Sequence, residues 1–196
     1  VQRAAWDALG NLTGSVVVIE ADTGRIIAMV SKPSYNPNLL ASHDENTVVN
    51  EYAKLAADKK NPLVNRGIDG KLNPPGSTFK LVVASAALES GRYTPESTFP
   101  NPSSLRLPQT DSWIHNSGGG TCGPGKTVTM RDALRLSCNI PFAELGMELG
   151  GEALLTQAEK YGFNDLFQIP MKVEASMFPQ YLDEPQTALA SFGQFD

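Results

Sequence analysis

Residues 74–91, PPGSTFKLVVASAALESG, constrain this chain more than any other stretch. Two prolines cannot continue a regular element and Gly91 closes the apolar run after them, so the segment predicts a tight turn running into a helix. Phe79, Leu81, Val82, Val83, Ala84, Ala86, Ala87 and Leu88 leave that helix no polar face, which predicts burial on nearly all sides. Ser77 and Lys80 stand in its first turn, three residues apart on one face, close enough for the amine to reach the hydroxyl.

A serine hydroxyl is a weak nucleophile until a base takes its proton, and a lysine is a base only when neutral. Moving its pKa from about 10.4 to near 7 needs about 4 kcal/mol of differential stabilisation, which burial without a carboxylate partner supplies. The segment meets that condition. No acidic residue occurs from Ser77 to Leu88, and Glu89 lies about 13 Å further along the axis. The helix start adds free backbone N–H groups and partial positive charge beside Ser77, favouring an alkoxide or oxyanion there. A Ser-x-x-Lys string alone arises about once by chance in a chain of ordinary composition. Its context argues for a nucleophile and base rather than an N-cap serine and a surface lysine.

With 196 residues, 41% of them hydrophobic, the chain is long enough for one domain with a sizeable core. A net charge of −5 and the absence of Lys/Arg clusters argue against nucleic acid and against an anionic membrane surface as partners. No apolar run approaches a membrane span and Val1–Asp7 has no signal-like core, so any anchor is expected outside this chain. Cys122, Cys138, His43 and His115 show no metal-ligand spacing, so neither metal nor cofactor is expected. The cysteines are either two buried thiols or, in an oxidising compartment, a disulfide closing a loop of about 15 residues, worth about 3 kcal/mol.

Ser15–Glu20 and Arg25–Ser31 read as a hairpin around Ala-Asp-Thr-Gly, apolar enough to be covered on at least one face. Residues 32–46 form a long loop, and Thr47–Asp58 an amphipathic helix with Val48, Val49, Tyr52, Leu55 and Ala56 on one side. Residues 92–126, rich in Pro, Ser and Gly, read as an excursion from the core with short β pieces at Ser104–Leu107 and Ser112–His115. Helices come next at Thr129–Leu136, with a Thr129/Asp132 cap, at Pro141–Leu149 and at Glu152–Tyr161. Gln186–Phe192 reads as a helix cut short.

Ser137-Cys138-Asn139 lies between two helices, where a hydroxyl could relay a proton and an amide could hold a peptide carbonyl. Ser34-Tyr35-Asn36 has the same pattern, and each triplet alone is as well explained by a turn. Residues 120–127, Gly-Thr-Cys-Gly-Pro-Gly-Lys-Thr, satisfy the phosphate-loop pattern G-x-x-x-x-G-K-[ST]. Nucleotide binding is disfavoured, because no buried strand precedes them and Pro124 lacks an N–H in a loop whose amides must cradle phosphate.

Taken together, the chain resembles the transpeptidase domain of penicillin-binding proteins, in particular the monofunctional class B type of actinobacteria. The matching stretches are GSVVVIEADTGRIIAMVSKPSYNPN, NRGIDGKLNPPGSTFK, TVTMRDALRLSCNIPFAELGMELG and TALASFGQFD, in the family's order and over nearly the whole chain. The resemblance selects Ser137-Cys138-Asn139 over Ser34-Tyr35-Asn36, because the family places its Ser-x-Asn after Ser-x-x-Lys. It implies Ser77 as acylated nucleophile, Lys80 as its base and Ser137 as proton relay toward the leaving D-alanine. Asn139 would hold substrate peptide or β-lactam side chain, and the N–H of Ser77 would form half of an oxyanion hole.

The partners implied are peptidoglycan stem peptides and β-lactam antibiotics, at the extracytoplasmic face of the bacterial membrane. A serine β-lactamase and a β-lactam sensor share the fold and remain alternatives. No Lys-Thr-Gly or Lys-Ser-Gly occurs, so residues 1–196 are expected to be the N-terminal two-thirds of one catalytic domain that needs its remainder. The fold expected is α+β: an antiparallel sheet flanked by helices, with the Ser77 helix between it and an all-helical lobe carrying Ser137 and Asn139.

Overall fold

A computed structural model describes residues 1–70, 72–166 and 168–194. The chain divides into two compact bodies, Val1–Leu72 with Gln168–Glu174, and Asn73–Phe167 with Ala175–Asp196.

In the first body, strands β1 (Gly14–Ile19) and β2 (Ile26–Lys32) form the expected antiparallel hairpin, with Val16 opposite Val30 and Val17 opposite Met29. Gly24 takes φ +70° in the connecting turn, which the Arg25 guanidinium closes on the Glu20 carboxylate at 3.0 Å. Helix α1 (Gln2–Leu9), which is not among the elements expected from the sequence, is fastened to β2 by Gln2 and by Lys32, whose amine donates to the Trp6 carbonyl at 2.9 Å. The Gln2 amide donates to the Met29 carbonyl at 2.7 Å and accepts the Met29 N–H at 2.8 Å. One face of the hairpin is covered, burying Ala28 and Val30, while Ile19 and Ile27 stay exposed on the other.

Helix α2 (Glu45–Ala57) begins two residues before the expected start because the Asp44 carboxylate accepts the N–H groups of Asn46 and Thr47. Its apolar stripe is only partly covered, at Val48 and Leu55. No α2 residue is buried, and Val49 and Tyr52 are each 58% exposed.

The second body carries the remaining elements: α3 (Lys80–Glu89), β3 (Thr98–Pro100), β4 (Ser104–Arg106), β5 (Trp113–His115), β6 (Thr127–Thr129), α4 (Met130–Arg135), α5 (Ile140–Leu149), α6 (Gly151–Lys160) and α7 (Glu184–Ala190). Helix α3 packs against α4, α5 and α6, with Val83, Ala87, Ala133, Phe142, Leu145, Leu154 and Ala158 in the shared core. Phe79, at its start, stacks on Phe178 at 5.2 Å and meets the edge of Phe163 at 5.6 Å. Burial is less complete than expected. Leu81, Ser85 and Leu88, spaced by four and three residues, form one open stripe, and Leu81 remains 55% exposed.

The 92–126 segment is also a correction, because it builds core. Strand β3 pairs with β6 and β4 with β5, and each three-residue strand of β3, β5 and β6 buries its middle residue, Phe99, Ile114 and Val128. The buried Asn101 amide donates to the carbonyls of Cys122 and Gly125, each at 3.1 Å. Cys122 and Cys138 are joined in a disulfide across 16 positions, tying this segment to the α4–α5 linker. The chain-entropy account gives such a loop about 3 kcal/mol.

Helix α7 starts two residues before the expected point, at an Asp183/Gln186 capping box, and ends at Ala190. It lies close along α5 because Gly146 has no side chain: a Cβ there would fall 1.6 Å from Ser191 Oγ. No described helix is long and apolar enough to cross a membrane.

Candidate active site

Two prolines and a left-handed glycine, Gly76 at φ +57°, set the turn that carries Ser77. The turn is 3-10 over Gly76–Phe79, stiffened by Thr78 Oγ1 donating to the Pro75 carbonyl at 2.7 Å, and α3 continues from Lys80. Ser77 is exposed, whereas Lys80, one turn later, is 0% exposed. The exposed alcohol therefore sits above a buried amine.

The linker between α4 and α5 supplies the opposing groups. Ser137 takes φ +56°, which costs a non-glycine residue about 1–3 kcal/mol and persists only where the surroundings enforce it. They do so here. The Cys138 N–H closes on the Ala133 carbonyl at 2.9 Å, and the disulfide pins Cys138 itself. Asn139 is held next. The buried Asn116 side chain accepts the N–H groups of Asn139 and Ile140 at 2.9 and 3.1 Å, and Asn139 Nδ2 donates to the His115 carbonyl at 2.9 Å.

Lys80 Nζ gathers all three. It lies 3.1 Å from Ser77 Oγ, 3.2 Å from Ser137 Oγ, 2.7 Å from the Ser137 carbonyl and 2.9 Å from Asn139 Oδ1. The amine also lies over the buried Phe142 ring, 5.9 Å from its centroid. No carboxylate forms an ion pair with this amine among the described residues, and burial lowers its pKa from 10.5 to about 8.

The geometry then orients the lone pair. A neutral amine has two N–H groups and one lone pair, and the Ser137 carbonyl and Asn139 Oδ1 can only accept. With both N–H groups spent there, the lone pair is directed toward the two hydroxyls. It can take the Ser77 proton and pass it to Ser137 Oγ.

The depressed pKa also makes folding pH-dependent. Between about 8 and 10.5 the unfolded chain binds the lysine proton and the folded chain does not, so this group's contribution to stability rises with pH through that window. Below about pH 8 the cost of burying the amine is fully present.

All four site residues read from the sequence, Ser77, Lys80, Ser137 and Asn139, are thus brought together. Ser34-Tyr35-Asn36 lies in the first body, where Asn36 Oδ1 caps a short 3-10 turn by accepting the Asn38 N–H at 3.1 Å, a turn role. The phosphate-loop string lacks its strand–loop–helix order, since Thr127 opens strand β6. Asn116 and the His115 carbonyl have no local signal in the sequence, because they act across 23 and 24 residues.

A hydroxyl, a buried amine of lowered pKa and a Ser-x-Asn linker on an α+β frame make an arrangement that can support serine acyl transfer. The chain belongs to the penicillin-binding protein transpeptidase family, whose domain model matches residues 14–194. Within that family it is strongly similar to actinobacterial class B proteins. It is 41% identical over 202 residues to the peptidoglycan D,D-transpeptidase PbpA of Mycolicibacterium smegmatis, a match covering 100% of this chain and 41% of that protein. The crystal structure of PBPA from Mycobacterium tuberculosis superposes with a TM-score of 0.92 at 36% identity, over 99% of this chain and 45% of that one. The penicillin G acyl-enzyme complex of the same M. tuberculosis protein gives the same TM-score and identity, over 99% and 46%. The chain spans about two-fifths of the length of the curated relatives it matches.

Proposed function

We propose that the protein is a peptidoglycan D,D-transpeptidase that works through a Ser77 acyl-enzyme and is inhibited by β-lactams. The observation that carries this is the fully buried Lys80 amine, without a carboxylate partner among the described residues, in contact with Ser77, Ser137 and Asn139.

In this reading Lys80 removes the Ser77 proton as Oγ attacks the penultimate D-Ala carbonyl of a stem peptide. The C–N bond to the terminal D-Ala breaks, and its amine leaves with a proton delivered through Ser137. An amine of a neighbouring stem then attacks the ester, restoring Ser77 and forming the cross-link. The N–H of Ser77, near the start of its turn, is among the donors a helix start leaves without an intrahelical acceptor, and it serves the developing oxyanion.

Asn139 keeps one Nδ2 hydrogen for the substrate after donating the other to His115. The sequence holds no Lys-Thr-Gly, so the second oxyanion donor and the substrate carboxylate site are assigned to a further segment of the transpeptidase domain. Stem peptides place the reaction on the extracytoplasmic side of the membrane.

The test is intact mass of the whole protein after exposure to penicillin G, then turnover of a stem-peptide donor with an amine acceptor. A one-drug adduct lasting for hours together with peptide transfer is expected. Rapid drug hydrolysis would favour a serine β-lactamase, a lasting adduct without peptide transfer a sensor, and no adduct would remove all three.

A further inference from the structure

The SFGQ stretch after α7 matches the family but takes no part in the contacts around Lys80. Gly193 lies in the turn beyond α7, at φ +73°, with its N–H on the Ala190 carbonyl at 2.9 Å. Its own carbonyl accepts the Gly76 N–H at 3.1 Å. A Cβ built on Gly193 would fall 2.1 Å from Gly76 O, 2.6 Å from Gly76 N and 2.7 Å from Gly76 C. Those contacts are with backbone and cannot swing aside. Only glycine lets the two chain segments meet this closely.

Gly76 immediately precedes Ser77, and Pro74 and Pro75 have no N–H, so its amide is the sole backbone donor between Asn73 and Ser77. The Gly193 carbonyl takes that donor. The anchoring side is rigid: Thr187, Ala188 and Ala190 are buried, and α7 is seated along α5, the helix that directly follows Asn139. One packed unit thereby connects Asn139 with the turn that carries Ser77.

We propose that Gly193 is a positioning residue for acylation, holding the Pro75–Gly76 backbone so that Ser77 Oγ stays within reach of Lys80 Nζ. This rests on Ser77 being the nucleophile. A side chain at 193 would push the nucleophile turn aside without touching the pocket floor or the amine.

The test is Gly193→Ala in the intact protein, with penicillin G binding and acylation resolved kinetically. The acylation rate constant is expected to fall by roughly 10²-fold, the loss typical of a displacement of about 1 Å. Reversible binding and the pH midpoint of acylation are expected to stay near wild type, with a modest fall in melting temperature from alanine at a positive φ. An unchanged acylation constant overturns the proposal. So does a parallel fall in binding, acylation and melting temperature, which would mark Gly193 as general packing.

Hydrogen exchange at the Gly76 amide of the wild-type protein decides the matter if the variant does not fold. Protection comparable to the α3 core supports the tether, and exchange as fast as an open turn overturns it. If wild-type protein takes up no penicillin, the nucleophile assignment fails, while Gly76 protection still reports on the tether alone.

Discussion

Lys80→Met is expected to lower the rate of Ser77 acylation by penicillin by roughly 10²–10⁴-fold, the range that a lost general base costs. Methionine keeps an unbranched chain of similar length in the same cavity, so Phe142 and the α3–α5 packing stay filled. What disappears is the amine that contacts both hydroxyls and the Asn139 amide. The fold is expected to tolerate the change, because removing a desolvated amine that has no counter-ion among the described residues offsets the two acceptors left behind.

Lys80→Arg separates base from charge. A guanidinium stays protonated throughout the working range, so it supplies positive charge but no lone pair, and it is expected not to restore the rate. Recovery with arginine would assign Lys80 an electrostatic role instead. The measurement is stopped-flow acylation on both variants, with thermal melts confirming their fold.

Ser77→Ala is expected to abolish the covalent adduct altogether, since no other described hydroxyl combines exposure with contact to Lys80. Ser137 Oγ is the nearest competitor, at 3.2 Å from the same nitrogen, but it is half-buried on a backbone locked by the disulfide and by Asn116. Stability should change by less than about 0.5 kcal/mol, as for exposed positions generally, because the lost hydroxyl faces solvent. Reversible drug binding should persist. Intact mass and equilibrium binding on the one variant report both, and an adduct on Ser77→Ala would move the nucleophile elsewhere.

Much of this site was legible because its first half is local. Ser77 and Lys80 are three residues apart on one turn, and proline, glycine and the absence of acid are all readable in one line of sequence. The second half was not. Ser137-Cys138-Asn139 and Ser34-Tyr35-Asn36 are equivalent as strings, and only the order of motifs in a family separated them. What distinguishes them physically is a disulfide and an asparagine 23 residues away, and neither has a periodicity to betray it.

The fold shows the same division. The hairpin and the helices other than α1 declared themselves by pattern, with caps at Asp44 and Asp183 shifting two helix starts by two residues. The burial of Phe99, Ile114 and Cys122 in a segment rich in Gly and Pro did not. In strands of three residues one inward side chain is the entire signal, too short for alternation to register. Conversely, the apolar stripes of α2 and of Leu81 and Leu88 stay largely open, because hydrophobic pattern records what a face can bury and not whether a partner covers it.

The proposed acylation depends on the fraction of Lys80 that has lost its proton beneath Ser77. The most direct test is the pH dependence of penicillin acylation by the wild-type protein from about pH 6 to about pH 10, with Lys80→Met alongside. The rate should climb with a midpoint at about 8, tracking loss of the Lys80 proton, and the variant should show no such step. A wild-type rate that stays level across the range, or the same midpoint surviving in Lys80→Met, would contradict it.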